Sequence, residues 1–75
     1  MSESYRGYEI GWQQQPTTSA GYDMSIASSD ATLQGMLEEW SRTKGAYTFR
    51  REGLIHDVVA EAKKYVDAAL ARHRS

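Results

Sequence analysis

The C-terminal part of the chain constrains the fold most, because it has the periodicity of an amphipathic helix. Between residues 54 and 73, apolar side chains recur at steps of three and four residues, which places them on one side of an α-helix. These are Ile55, Val58, Val59, Ala62, Val66, Ala69 and Leu70. Gly53 is available to begin the helix, so we predict a helix over about 53–73. Most of its stability must come from packing that apolar side against another element, which the first fifty residues have to supply.

Three other segments alternate as β-strands do. Apolar or aromatic residues alternate with other residues within 4–13, 21–28 and 46–50, a pattern typical of half-buried strands. If 4–13 is one continuous strand, Tyr5 lies on the face opposite to Tyr8. The polar segment Gln13–Gly21 holds the only proline and is predicted to be a loop. The inward side chains expected from the alternation are Tyr8, Ile10, Trp12, Tyr22, Met24, Ile26, Tyr47 and Phe49.

The segment 31–40 has two interpretations. Leu33, Leu37 and Trp40 recur at helical spacing, and Asp30 is a good residue to cap the start of a helix. Against a helix, Gly35 costs about 1 kcal/mol relative to alanine in a helix interior. Alternate residues of the segment also form one mixed face of a strand. The periodicity alone favours the helix.

Together these elements predict an α+β fold, with an antiparallel sheet of three or four strands covered on one face by a single C-terminal helix. At 75 residues the chain has the length of one domain. The helix should lie across the inward face of the sheet. The predicted core consists of Tyr8, Ile10, Trp12, Tyr22, Met24, Ile26, Leu37, Phe49, Ile55, Val58, Val59, Ala62, Val66 and Ala69.

Composition and charge narrow the class of protein. Nine Lys and Arg against ten Asp and Glu give a formal net charge of −1, so no long-range field attracts nucleic acid or an anionic membrane. The chain has no cysteine, which excludes disulfides and thiolate metal sites. The N-terminus lacks the pattern of a signal peptide, and no apolar run reaches membrane-spanning length. We therefore expect a cytoplasmic protein without a membrane partner.

A search for catalytic residues gives no consistent set. His56 and Asp57 are adjacent, but neighbouring helical side chains point about 100° apart, so we expect no hydrogen bond between them. The other carboxylates considered, Glu38, Glu39 and Glu52, have no neighbour in sequence that would raise their pKa. The motifs HxxxH and CxxC are absent. We predict no catalytic, cofactor or metal site, and a protein that is not an enzyme.

Two binding surfaces remain as hypotheses. The first is a protein-binding surface formed by Tyr5, Met36 and Trp40, exposed on the open face and edges of a small sheet; its partner is an unidentified protein or a second copy of the chain. The alternative is a nucleic-acid surface that combines aromatic rings with basic groups. Its residues are Arg42, Lys44, Tyr47, Arg50 and Arg51. The near-neutral charge favours the first hypothesis.

Three short stretches also carry a family resemblance. Tyr5-Arg6-Gly7-Tyr8-Glu9-Ile10, the strand of Phe49 leading directly into a helix, and Lys64-Tyr65-Val66-Asp67 resemble short bacterial and prophage-encoded proteins with a β-meander and one C-terminal helix. This layout is similar to the N-terminal domain of HicB-type antitoxins, in which a helix covers a three-stranded sheet and the surface binds a toxin. The resemblance implies an accessory or antitoxin-like prophage protein. It also implies an extended middle segment, and so shifts the prediction for 31–40 towards a strand.

Overall fold

The alternating segments form four strands that pair as an antiparallel meander, and two helices pack on the same face of this sheet. The computed structural model describes residues 2–14 and 21–74. Within these ranges the elements are β1 (Ser2–Tyr5), β2 (Tyr8–Gln14), β3 (Gly21–Ala27), α1 (Ala31–Ser41), β4 (Tyr47–Glu52) and α2 (Ile55–Arg74). The strand order is β1-β2-β3-β4. The predicted α+β class is thus confirmed; most of the predicted loop, residues 15–20, lies outside the described residues.

The N-terminal segment is a hairpin, and the prediction of one continuous strand over 4–13 is wrong. Arg6 and Gly7 have φ of 52° and 88°, and two successive positive φ values are typical of the type I′ turns that join antiparallel strands. The turn pairs Tyr5 directly with Tyr8, and opposite residues of an antiparallel pair share a face. Tyr5 therefore lies on the covered face with Tyr8.

The segment 31–40 is helical, so the strand prediction derived from the resemblance is wrong and the periodicity was the better guide. Two helices, and not one, cover the sheet. Asp30 caps α1 by accepting hydrogen bonds from the backbone N–H groups of Thr32, at 2.8 Å, and Leu33, at 3.1 Å. Leu37 is fully buried, whereas Gly35 is exposed, and a Cβ added to this glycine would meet no other atom within 4 Å. The cap and the burial of the apolar side offset the cost of this glycine.

The helix α2 begins at Ile55, two residues later than the predicted boundary at Gly53. The carbonyl oxygen of Leu54 accepts a hydrogen bond from the N–H of Val58 at 3.1 Å, which makes Leu54 the N-cap residue. Gly53 has a φ of 127°, a conformation that glycine adopts without strain. It provides the change of direction between β4 and α2.

The core lies between the covered face of the sheet and the apolar sides of both helices. The register aligns Ile10 with Ile26 and Met24 with Phe49, so apolar side chains form rows across the strands. Of the predicted core, Trp12, Tyr22, Phe49 and Ile55 are only partly buried. The buried apolar residues are Tyr8, Ile10, Met24, Ile26, Leu37, Val58, Val59, Ala62, Val66, Ala69 and Leu70. None of the described helices is long and apolar enough to cross a membrane.

Candidate functional site

Four aromatic rings meet where β4 forms an edge of the sheet. Tyr47 and Phe49 alternate onto the covered face of β4, Trp40 comes from the last turn of α1, and Tyr65 comes from the middle of α2. The ring centroids of neighbouring pairs lie 5.1–5.9 Å apart, within the range for favourable aromatic contacts. All four side chains are only partly buried. We call this group the aromatic edge.

The aromatic edge is fixed by a polar network on one flank of α2. The Nε of Arg51 donates to the carboxylate of Glu61 at 3.0 and 3.1 Å, and its Nη2 donates to the Tyr65 hydroxyl at 2.7 Å. The Tyr65 hydroxyl in turn donates to Glu61 at 2.8 Å. The hydrogen bonds from the Tyr65 hydroxyl and from Arg51 lower the pKa of Glu61, although partial desolvation of this carboxylate acts in the opposite direction. The guanidinium carbon of Arg51 also lies 5.3 Å from the centre of the Phe49 ring, a cation–π distance.

The other flank of α2 is joined to β1 by a second polar network. Asp67 accepts hydrogen bonds from the Tyr5 hydroxyl at 2.9 and 3.1 Å and from Nη1 of Arg6 at 2.8 Å. The hydrogen bonds from both donors lower the pKa of Asp67, and the bond from Arg6 has the larger effect. Lys63 pairs with Glu3 at 2.6 Å. The spacing of Lys63 and Asp67 in sequence suggests a pair within the helix, but both side chains bond to the hairpin instead.

The three residues predicted to bind a protein do not form one surface. Tyr5 lies on the covered face at the β1 side, because the turn at Arg6 and Gly7 reverses its expected orientation. Met36 is partly buried against the core. Trp40 belongs to the aromatic edge on the β4 side, where its ring lies 5.3 Å from that of Tyr47. Of the three, only Trp40 belongs to the aromatic edge.

The residues of the nucleic-acid hypothesis are likewise divided between two faces. Arg50 lies on the uncovered face and pairs with Asp23 at 3.0 Å, whereas Arg51 lies on the covered face with Glu61. Tyr47 packs inside the aromatic edge. Arg42 and Lys44 are exposed in the connection between α1 and β4. The strand alternation therefore separates the two arginines that the sequence places side by side.

The uncovered face of the sheet is polar and shallow. It contains a depression of about 720 Å³ whose lining includes a row of small side chains across three strands, Gly11, Ser25 and Thr48. The ion pair of Asp23 and Arg50 borders this row. Both charged side chains are well exposed, at 48% and 79%, so the pair contributes little to stability.

The groups considered for catalysis have structural partners or lie on the open surface. His56 and Asp57 are exposed, and their side chains do approach to 3.3 Å, contrary to the expectation from helix geometry. Glu38 accepts bonds from the Gln34 amide at 3.0 Å and from the Gly45 N–H at 2.8 Å, which lower its pKa. This carboxylate fixes the connection after α1. In the described part of the chain, no three potential ligands are grouped to hold a metal ion.

No protein-family model matches the chain, and neither the curated proteins nor the solved structures give a significant match. The case for any function therefore depends on the geometry of the surfaces described above.

The contribution of Phe49 and Tyr65 to the aromatic edge was missed from the sequence. From the sequence, Phe49 is expected in the core, and Tyr65 enters only as part of the stretch Lys64-Tyr65-Val66-Asp67. One signal was available, because Tyr65 lies next to Val66 and therefore on the flank of the apolar stripe. Which strand lies beside that flank depends on the tertiary fold.

Proposed function

We propose that this protein is a non-catalytic protein-binding module whose partner docks at β4 and the aromatic edge. The observation that carries the proposal is the position of the four partly buried aromatic rings beside a strand that, among the described elements, pairs on one side only. An edge strand offers unpaired N–H and C=O groups to an added strand. Aromatic side chains beside it supply apolar contact area, as at known interfaces.

The two edges of the sheet differ in a way that favours β4. The strand β1 has four residues, and its inward side chains Glu3 and Tyr5 are held by Lys63 and Asp67. The strand β4 has six residues, and its inward side chains include two aromatic rings. Short, charged strands are a common protection against edge pairing. The longer aromatic strand is the better docking site.

The resemblance to antitoxin-like and prophage accessory proteins agrees with this proposal, since a surface of the sheet-and-helix unit binds the toxin in that family. The nucleic-acid alternative gains no support, because Arg50 and Arg51 face opposite sides of the sheet and each is paired with a carboxylate. An oligonucleotide titration at varied salt separates the two classes, since phosphate binding weakens steeply as salt rises.

Affinity capture with matched variants tests the proposal. Phe49→Ala removes a ring of the aromatic edge, and Trp12→Ala removes a partly buried ring of the same cross-strand row, two strands away from β4. The tagged protein is exposed to an extract of its source cells to which an untagged copy of the chain is added. We expect the wild-type bait and the Trp12→Ala bait to retain a protein that the Phe49→Ala bait does not retain. The same retained proteins for all three baits would contradict the proposal.

A further inference from the structure

We infer that the partner at β4 is a second copy of this chain, which adds its own β4 antiparallel to the first and joins the two sheets into one of eight strands. This inference rests on the proposed function and names its partner. A two-fold axis perpendicular to the sheet keeps the helices of both copies on one side. It also brings the two aromatic edges together across the junction between the two β4 strands, which we call the seam. One contact then covers the partly buried rings of both copies.

The sequence of β4 selects the register. In a two-fold antiparallel pair, one residue lies opposite its own copy. If that residue is Arg50, two like charges face each other directly, which is destabilising. If it is Thr48, only Tyr47, Thr48 and Phe49 find strand partners. With Phe49 on the axis, the whole stretch from Tyr47 to Arg51 is paired, and no like charges lie directly opposite.

The Phe49 register is also chemically complementary. On the covered face, Phe49 meets Phe49 of the second copy, and Arg51 lies opposite Tyr47 of that copy, an arrangement suited to cation–π contact. On the uncovered face, Arg50 lies opposite Thr48 of the second copy. At the end of the strand, Glu52 approaches the connection that carries Lys44 of the second copy, so opposite charges come together at both ends of the seam.

The charges on β4 give it only limited protection from this pairing. Arg51 is held by Glu61 and Tyr65 within its own chain, and Arg50 is paired with Asp23. Charged side chains on an edge normally discourage strand addition. Each of these two arginines has a carboxylate of its own chain beside it, which reduces that effect, but Arg50 remains well exposed and still presents its charge at the seam. Thr48 is exposed on the same strand, and its partner in the dimer is an arginine. Position 48 therefore allows the charge at the seam to be changed without altering the core.

Two substitutions at one exposed site test the inference by light scattering on a sizing column, over about a hundredfold range of concentration. In the Phe49 register, Thr48→Glu faces Arg50 of the second copy at two symmetric places, and Thr48→Lys faces the same group with like charge. We expect a wild-type dimer that dissociates on dilution, tighter for Thr48→Glu and weaker for Thr48→Lys. With two cross-strand pairs changed, the dissociation constants of these variants should differ by about tenfold or more.

Each other result overturns the inference. A wild type that is monomeric throughout shows that no second copy docks, and equal affinities for Thr48→Glu and Thr48→Lys show that position 48 does not face Arg50. Thermal melts at low concentration check that both variants are folded. Because both substitutions are made at position 48, any effect of losing threonine is common to the two variants and cancels when their dissociation constants are compared. The proposed function is judged separately. A monomer that still captures another protein through Phe49 contradicts the inference alone, whereas a monomer that captures none contradicts both.

Discussion

Gly7 and Gly35 have different backbone conformations, and this difference decides how alanine at each position should change the stability of the protein. Gly7 has a φ of 88° in the turn between β1 and β2, and a Cβ there would lie 2.5 Å from Cδ1 of Leu33. Gly35 lies within α1, where a Cβ would meet nothing within 4 Å. The first glycine permits a turn that other residues adopt with strain. The second only weakens a helix.

Gly7→Ala and Gly35→Ala should therefore change stability in opposite directions. We expect Gly7→Ala to destabilise the protein by about 1 kcal/mol or more, because alanine is strained at positive φ and the Leu33 methyl group must move. Gly35→Ala should stabilise it by about 0.5–1 kcal/mol. Urea denaturation of both variants measures the free energies of unfolding. Destabilisation by Gly35→Ala would contradict the helical assignment of 31–40.

Local sequence signals explain which residues could be placed in advance. Asp30 was predicted as a cap because its side chain suits the N-terminus of a helix, and α1 begins directly after it. The turn at Arg6 and Gly7 was not predicted, since Arg-Gly lacks the asparagine or aspartate that usually marks a type I′ turn. That one omission reversed the face of Tyr5. As a result, Tyr5 does not share one surface with Met36 and Trp40.

Among the elements, α2 has the most varied contacts, because three of its sides meet different surroundings. Its apolar side is buried, one flank bonds to Arg51 of β4, and the other bonds to the β1–β2 hairpin through Asp67 and Lys63. The buried side was predictable because periodicity reports burial. The flanks were not, because a charged residue at the border of the stripe is expected to face solvent until its tertiary neighbours are known.

Paired alanines in α2 test the register of its buried side. Ala62 is fully buried and Ala60, two residues earlier, is exposed. Ala62→Asp places an unpaired charge in the core at a cost of several kcal/mol, comparable with the whole stability of a small domain. We expect Ala62→Asp to unfold the protein and Ala60→Asp to leave it folded, as judged by circular dichroism. A folded Ala62→Asp variant would show that the register is wrong.

The two flanks also predict how stability responds to acid. The hydrogen bonds from Arg6 and Tyr5 lower the pKa of Asp67 below its ordinary 3.8, and those from Tyr65 and Arg51 lower that of Glu61 below 4.5. Because the folded state holds these protons less tightly than the unfolded state, the stabilisation is complete above the ordinary values. It is lost as pH falls through the lowered ones.

We therefore expect the denaturation midpoint to fall as pH decreases below about 4.5. The double variant Asp67→Asn, Glu61→Gln has no carboxylate to protonate at these two positions. Its denaturation midpoint should therefore be lower than that of the wild type at neutral pH, and should decline less steeply in acid. Denaturant titrations at several pH values measure both slopes. Parallel declines for the wild type and the double variant would show that these carboxylates do not link folding to pH.

At the scale of the whole molecule, the sheet has two unlike edges. The strands β2, β3 and β4 and the helix α2 followed from alternation and periodicity, which report which side of each element is buried. The asymmetry of the edges did not, because it depends on which helix flank lies beside which strand. Glu3 and Lys63 pair at the β1 edge, whereas Phe49 and Tyr65 pack together at the β4 edge. We place self-association at the second of these.

Disulfide trapping tests that placement most directly, because the chain has no cysteine of its own. In the proposed register, position 48 of one copy lies opposite position 50 of the other, with Cβ atoms about 4.5–5.5 Å apart, whereas equivalent positions lie farther apart on the diagonal. Thr48→Cys and Arg50→Cys proteins are mixed and mildly oxidised. We predict a dominant mixed disulfide dimer and little dimer from either variant alone. Equal yields of all three dimers, or no dimer, would contradict pairing through β4 in this register.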